Sequence, residues 1–184
     1  MKDLKTINKG ITHAGKFHTD DVISTAFLKF FNENIEIERL YEYEGEGNDD
    51  EFVYDIGLGT FDHHQEEREL DDIGFAYCAF GKIWEAYGRE YLKENGFENI
   101  EEAFQKFKDL YVYKMDQGDN GGYKGIRGFY ENQIIIGCNP LWFEDADAEM
   151  ENRQFDKAVT LGRELLRNWT RNVYRLVEDH NIAF

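Results

Sequence analysis

Ile7-Asn8-Lys9-Gly10-Ile11-Thr12-His13-Ala14-Gly15-Lys16-Phe17-His18-Thr19-Asp20-Asp21 runs from a short apolar stretch, through a glycine turn, into the start of a helix. Ile7 to His13 reads as a strand, and Gly15 supplies the turn after it. From Asp20 onward, Val22, Ile23, Ala26, Phe27, Phe30 and Phe31 recur at helical spacing, which predicts a helix ending near Asn32 or Asn34. Ile35 to Tyr43 alternates apolar and charged residues and predicts a second strand, followed by an acidic loop over Glu42 to Glu51. Phe52-Val53-Tyr54-Asp55-Ile56 predicts a third, buried strand, and Gly57-Leu58-Gly59 turns the chain. Strands separated by a helix imply parallel pairing, so the fold class is α/β with a layered, mainly parallel sheet. Ligands in such sheets bind outside the carboxyl ends of the strands, where His13 and Asp55 fall.

The remainder is mostly helical. Ala76, Phe80, Ile83, Trp84, Tyr87 and Tyr91 make one stripe of a long helix ending near Gly96, and Phe104, Phe107 and Tyr111 mark another over Glu101 to Met115. Asp116 to Gly128 is the glycine-richest part, Ile134-Ile135-Ile136 reads as a short buried strand, and a last helix carries Phe155 through Leu176.

With 184 residues, 41% hydrophobic and 16% aromatic, the chain is read as one domain over residues 1–184 with a real core. Lys and Arg number 21 against 38 Asp and Glu, a net charge of -17 that disfavours a long nucleic-acid track. It says little about a short phosphorylated substrate, and bound divalent cations would offset part of it. Cys78 and Cys138 lack metal-ligand spacing and read as free thiols of a reducing compartment. The N-terminus shows neither a signal peptide nor a membrane span, so a cytoplasmic location without membrane attachment is expected.

Four of the five histidines fall in two stretches, His13 to His18 and Phe61-Asp62-His63-His64-Gln65. Two imidazoles and a carboxylate in His13-x4-His18-x-Asp20 suit Mn, Co, Fe or Zn, although His18, Thr19 and Asp20 also suit a helix N-terminus. Asp55, read alone, favours an Asx turn ending its strand over a carboxylate bridging two metals. Adjacent residues of an extended strand face opposite ways, so His63 and His64 share a site only if the backbone turns there. One histidine would then ligate while the other contacts substrate or orients a ligand. Asp116-Gln117-Gly118-Asp119 fails as an EF-hand, because the twelfth position is Arg127 where Glu is required. It leaves one further carboxylate, Asp119 in preference to Asp116. Lys124 and Arg127 form the basic pair placed to meet a phosphate. Walker A, G-x-S-x-G, H-E-x-x-H and G-x-G-x-x-G patterns are absent from the sequence.

In this order the motifs resemble the DHH phosphoesterase superfamily. Thr12-His13-x-Gly15-x-Phe17-His18-x-Asp20-Asp21, Phe61-Asp62-His63-His64-Gln65 and Asp116-x2-Asp119-Asn120-Gly121 are similar to the melanocyte proliferating gene (MYG) exonuclease-like family. Phe80-Gly81-x-Ile83-Trp84 and Asn139-Pro140-x-Trp142 extend the likeness over nearly the whole chain. The resemblance implies a Rossmann-like domain with a five-stranded parallel sheet and a two-metal, Mn or Mg, hydrolase of phosphodiesters, with 3′–5′ exonuclease action on short RNA or DNA. It implies His13, His18 and Asp55 on one metal. Asp20, Asp55, His63 and Asp119 would hold the other, with Asp55 bridging and His64 on the phosphate. Asp62 stands with Asp55 and His64 in the catalytic group. The usual second, substrate-binding domain is expected to be absent from this chain.

Two rival functions stand beside this one. One is a hydrolase of a small phosphorylated metabolite or dinucleotide, and the other a catalytically silent metal-binding or regulatory module. Trp169, Tyr174 and Leu176 on the last helix leave homo-oligomerisation open.

Overall fold

The computed structural model describes residues 1–121, 130–141 and 143–178. Its strands are β1 (Lys9–His13), β2 (Glu36–Leu40) and β3 (Glu51–Val53). Its helices are α1 (Thr19–Phe31), α2 (Ala79–Glu94), α3 (Ile100–Phe107), α4 (Tyr113–Asp119), α5 (Tyr130–Ile136) and α6 (Ala148–Val177), with a π-helical stretch, Lys108–Val112, joining α3 to α4. The sheet is wholly parallel in the order β2-β1-β3, with His13 opposite Leu40 and Ile11 opposite Val53. β1 is central. The chain leaves it for one neighbour and later returns on its other side, so the crevice at its carboxyl end is the natural ligand position.

The α/β class and parallel pairing agree with the sequence pattern, but the sheet is smaller than the five strands implied. Among the described residues it has three strands. Ile134-Ile135-Ile136, expected as a strand, closes α5 instead. Only Ile135 is buried, against Phe17, Val22 and Phe155, while Ile134 and Ile136 stay largely exposed. A run of β-branched residues favours a strand only when both faces are covered, and here one face is. No strand follows β3 before Asp62 either: Asp55 to Asp62 is a folded turn.

The core forms where the helical stripes meet. Val22, Ile23, Ala26 and Phe27 of α1 are fully enclosed, whereas Phe30 in its last turn is part-exposed. Trp84 of α2 stacks on Phe107 at a centroid distance of 4.0 Å and on Phe104 at 5.6 Å. Trp169 of α6 stacks on Tyr111 at 4.7 Å. That indole is therefore used within the chain, while Tyr174 and Leu176 remain part-exposed. Burying several such rings, at roughly 1.5–3 kcal/mol each, holds the helices on the small sheet. Both cysteines are free thiols, Cys78 buried and Cys138 part-exposed. No helix among the described residues is long and apolar enough to cross a membrane.

Candidate metal centre

The β1–α1 loop brings four potential ligands to one place. His18 is the N-cap of α1 in extended conformation, and its backbone N–H donates to Asp21 Oδ1 at 3.0 Å. That bond is half of a capping box, with the acids of the first turn also meeting the helix dipole. The other Asp21 oxygen lies 3.1 Å from His13 Nε2, so one carboxylate both caps the helix and faces the site. A further brace comes from Asn139, whose side chain accepts from the Phe17 N–H at 3.0 Å and donates to the Phe17 carbonyl at 2.8 Å.

Asp55 sits two residues beyond β3 with φ +56°, the left-handed region that Asp adopts more readily than most side chains. Its N–H donates to the Phe61 carbonyl at 3.1 Å, closing the turn, and Phe61 stacks on Phe52 at 4.7 Å to anchor it. Each carboxylate oxygen faces a different imidazole: Oδ2 is 3.2 Å from His13 Nε2 and Oδ1 is 3.0 Å from His63 Nε2. His63 Nε2 is also 3.3 Å from Asp119 Oδ2 and 3.7 Å from Asp20 Oδ2.

Asp62 has a different environment. Its Oδ2 accepts from the Leu58 N–H at 2.7 Å. Oδ1 takes the backbone N–H groups of His63 (2.7 Å) and His64 (3.2 Å) and pairs with His64 Nδ1 at 2.7 Å. It ties the turn together and orients His64, and belongs to none of the converging ligand groups. The backbone turn that the adjacent histidines require is thus present, with ring centroids 4.2 Å apart.

The amino terminus of α2 supplies the third side. Its first turn carries no acid of its own, and its orphan amides are taken by acids from elsewhere. The Cys78 N–H donates to Asp116 Oδ1 at 2.8 Å and the Ala79 N–H to Asp20 Oδ2 at 3.2 Å. Asp116 is therefore occupied at α2, and Asp119, one turn later, reaches His63 and His18. Lys124 and Arg127 lie outside the described residues, as does Trp142.

Three groups of side chains each converge closely enough to hold a cation: His13, Asp21 and Asp55; Asp55, His63 and His64; and His18, Asp20 and Asp119. His18 thus falls with Asp20 and Asp119 rather than with His13 and Asp55, its ring centroid 6.0 Å from that of His13. Asp21, the carboxylate nearest His13, stands with His13 and Asp55 in the group where the resemblance puts His18. The sequence signal for it is the doubled acid Asp20-Asp21, of which the motif reading takes only Asp20 as a candidate ligand.

The donors fit divalent cations. Among the described residues, Asp20 Oδ1, Asp21 Oδ2 and Asp55 Oδ1 are buried without a hydrogen bond, although the last two lie 3.1 Å and 3.0 Å from imidazole nitrogens. Ligand atoms 2.1 Å from a shared ion at right angles are themselves about 3.0 Å apart, whatever the direction of their N–H vectors. An unsatisfied buried carboxylate oxygen costs about 1–3 kcal/mol, which a cation would offset. The electrostatics point the same way. Burial first, then the neighbouring charges of Asp55 and Asp119, pushes the Asp20 carboxyl well above its usual range, and burial also raises Asp21. Burial opposes the charged forms of His13 and Asp55, yet mutual pairing outweighs it, lifting His13 to about 11 and lowering Asp55 to about 2. Without a metal, a proton on His13 does the neutralising.

This arrangement can be set beside known proteins. The MYG1_exonuc family model, described as an uncharacterised protein family (UPF0160), matches residues 9–182. The chain belongs to the MYG1 family. A MYG1 protein of Dictyostelium discoideum is 29% identical over 82% of this chain and 52% of its own length. The MYG1 protein of Saccharomyces cerevisiae is 27% identical over 86% and 57%, and that of Chlamydia pneumoniae 28% over 76% and 47%. This chain therefore spans about half the length of the curated MYG1 relatives it matches. No solved structure matches it. The MYG1 match runs from β1 through α6 and so includes every converging ligand.

Proposed function

We propose that the chain is a divalent-metal-dependent phosphoric ester hydrolase of the DHH type, acting on a phosphodiester in a small substrate or at the end of a short RNA or DNA. The observation that carries this is Asp55, one buried carboxylate whose two oxygens each face a different imidazole. That is what a carboxylate bridging two cations requires. His13, Asp21 and Asp55 would hold one ion, and Asp20, Asp55, His63 and Asp119 the other, with His18 beside Asp119. The mixture of imidazole and carboxylate suits Mn, with Mg the alternative.

When bound, the ions supply an activated water and neutralise phosphoryl charge for in-line displacement. The chain's own groups do the rest. Asp55 fixes the spacing between the two ligand sets. His64 is largely exposed on the cleft, and its hydrogen bond to Asp62 raises its pKa. With Nδ1 held by Asp62, Nε2 carries a proton toward a phosphoryl or leaving oxygen, a charge-assisted donor placed where negative charge grows. Asp62 favours that doubly protonated ring and braces the turn beneath it.

The test is a substrate panel with added Mn: bis(p-nitrophenyl) phosphate, short RNA and DNA oligonucleotides, a dinucleotide and pyrophosphate. Turnover of a diester should vanish in Asp55→Ala and in His63→Ala while circular dichroism is unchanged. Stoichiometric Mn binding with no turnover of any substrate would replace the hydrolase with a metal-binding module.

A further inference from the structure

A second cleft, of about 170 Å³, opens where α1, α2 and α6 meet, walled by Phe30, Tyr91 and Leu166 and rimmed by Arg163, Arg167 and Arg171. Phe30 stands about 14 Å along α1 from Asp21, so this cleft is separate from the metal centre. The neutral donors inside it are engaged. The Tyr91 hydroxyl donates to Thr170 Oγ1 at 2.7 Å, the Thr170 hydroxyl to the Leu166 carbonyl at 2.7 Å, and the Asn95 amide to the Tyr91 carbonyl at 2.8 Å. What the cleft offers a ligand is guanidinium N–H groups. Arg163 holds exposed Glu33 through bonds of 2.9 and 2.6 Å, and Arg167 holds Glu164 of its own helix at 3.0 Å. Exposed pairs of this kind contribute little, so a dianion can displace them. Arg171 has no ion pair or hydrogen bond among the described residues. Residues 163–177 carry four arginines at four-residue spacing against one glutamate, in a chain of 21 basic and 38 acidic residues. Like charges four apart on a helix repel, so helix stability does not account for the stripe.

We propose that this cleft is an anion site for a phosphate dianion, either inorganic phosphate or the phosphate of a small monoester. The inference stands apart from the hydrolase reading and needs no metal. A phosphate presents at least three oxygens to three guanidiniums, and the planar fork of Arg matches that geometry. A carboxylate brings one charge and two oxygens, and leaves one arginine without a partner. The apolar walls favour a neutral substituent over a second charged group, and the volume admits only a small one. On a chain of net charge -17, the stripe is where an anion is attracted rather than repelled.

Titration calorimetry of the full chain tests this with inorganic phosphate, ribose 5-phosphate and ribose, after dialysis against a chelator so that the acidic centre repels anions. Phosphate or ribose 5-phosphate should bind once per chain at millimolar concentration or below, and ribose should not bind. The tighter of the two phosphates identifies the source, and either upholds the site. Arg171→Ala should weaken that binding by about 10-fold or more. Alanine suits this exposed helical position, so the variant keeps its fold. Arg175→Ala, on the same stripe but outside the cleft, should stay within about twofold of wild type. Equal losses in the two variants would mark a diffuse field for an extended polyanion and overturn the site. Absence of binding at millimolar phosphate would overturn it too. Self-association that Arg171→Ala abolishes, without phosphate binding, would give the stripe to the acidic surface of a second copy instead. Because no metal or turnover enters the readout, failure here leaves the hydrolase standing, and failure on the substrate panel leaves this site standing.

Discussion

Asp21 shows why a ligand can be invisible in a sequence. An acid in the first turn of a helix is explained by capping alone, and Asp21 does cap α1, through one oxygen to the His18 N–H. Its second oxygen turns to His13, and only the fold shows that the two duties fall to one carboxylate. Asp21→Asn keeps the capping acceptor and removes the charge, so it should weaken Mn binding by about 10- to 100-fold in titration calorimetry at little cost in stability. Unaltered Mn affinity would return Asp21 to a purely capping role. Asp55 was legible as either a turn residue or a bridge. Its left-handed backbone belongs to the turn, and that turn presents its two oxygens to His13 and His63. Asp116 makes its own contribution to the pH dependence. Burial lifts its pKa from the ordinary carboxylate range to about 7. At Asp116 the folded state therefore holds a proton that the unfolded chain has released, and the contribution of this residue to stability falls as pH rises from about 4 to about 7, then levels off. Asp116→Asn, still able to accept from Cys78, should flatten this slope in urea melts of metal-free protein. An identical slope in the variant would assign it to other groups.

Among the elements, the helical stripes were readable because their apolar residues cover one face at a regular period, and the first three strands because a glycine turn or acidic loop bounds each. What failed was length and context: Ile134-Ile135-Ile136 is too short for period to separate strand from helix, and packing on one side only decides for helix. The amino terminus of α2 could not be foreseen either, because the acids that satisfy it come from 38 and 59 residues away. Gly81 makes that junction possible. A Cβ there would overlap the Asp116 carboxylate and come within 2.9 Å of the Tyr77 ring. Gly81→Ala should destabilise the protein by about 1–3 kcal/mol in urea denaturation, and a variant of wild-type stability would mean α2 shifts freely at this end. Asn139 similarly clamps the β1–α1 loop through both polar groups of Phe17. Losing both bonds in Asn139→Ala should cost about 1–3 kcal/mol and lower Mn affinity as the loop loosens. Lost stability with Mn affinity unchanged would confine Asn139 to the scaffold.

For the whole molecule, a net charge of -17 concentrates part of its repulsion in buried Asp20, Asp21 and Asp55 of the candidate metal centre. Cations that bind only the folded state stabilise it by mass action, about 2.7 kcal/mol at a hundredfold excess over Kd. Mn should raise the melting temperature by several degrees and a chelator reverse it, and a melting point indifferent to both would count against a folded-state site. The central claim, that Asp55 joins two cations, is tested most directly by a crystal structure of the Mn-soaked protein with anomalous scattering. It should show two peaks sharing Asp55, one about 2–2.3 Å from His13, Asp21 and Asp55 and the other as close to Asp20, Asp55, His63 and Asp119. Peaks that leave Asp55 uncoordinated, or no ordered Mn at full occupancy of the crystal liquor, would contradict it.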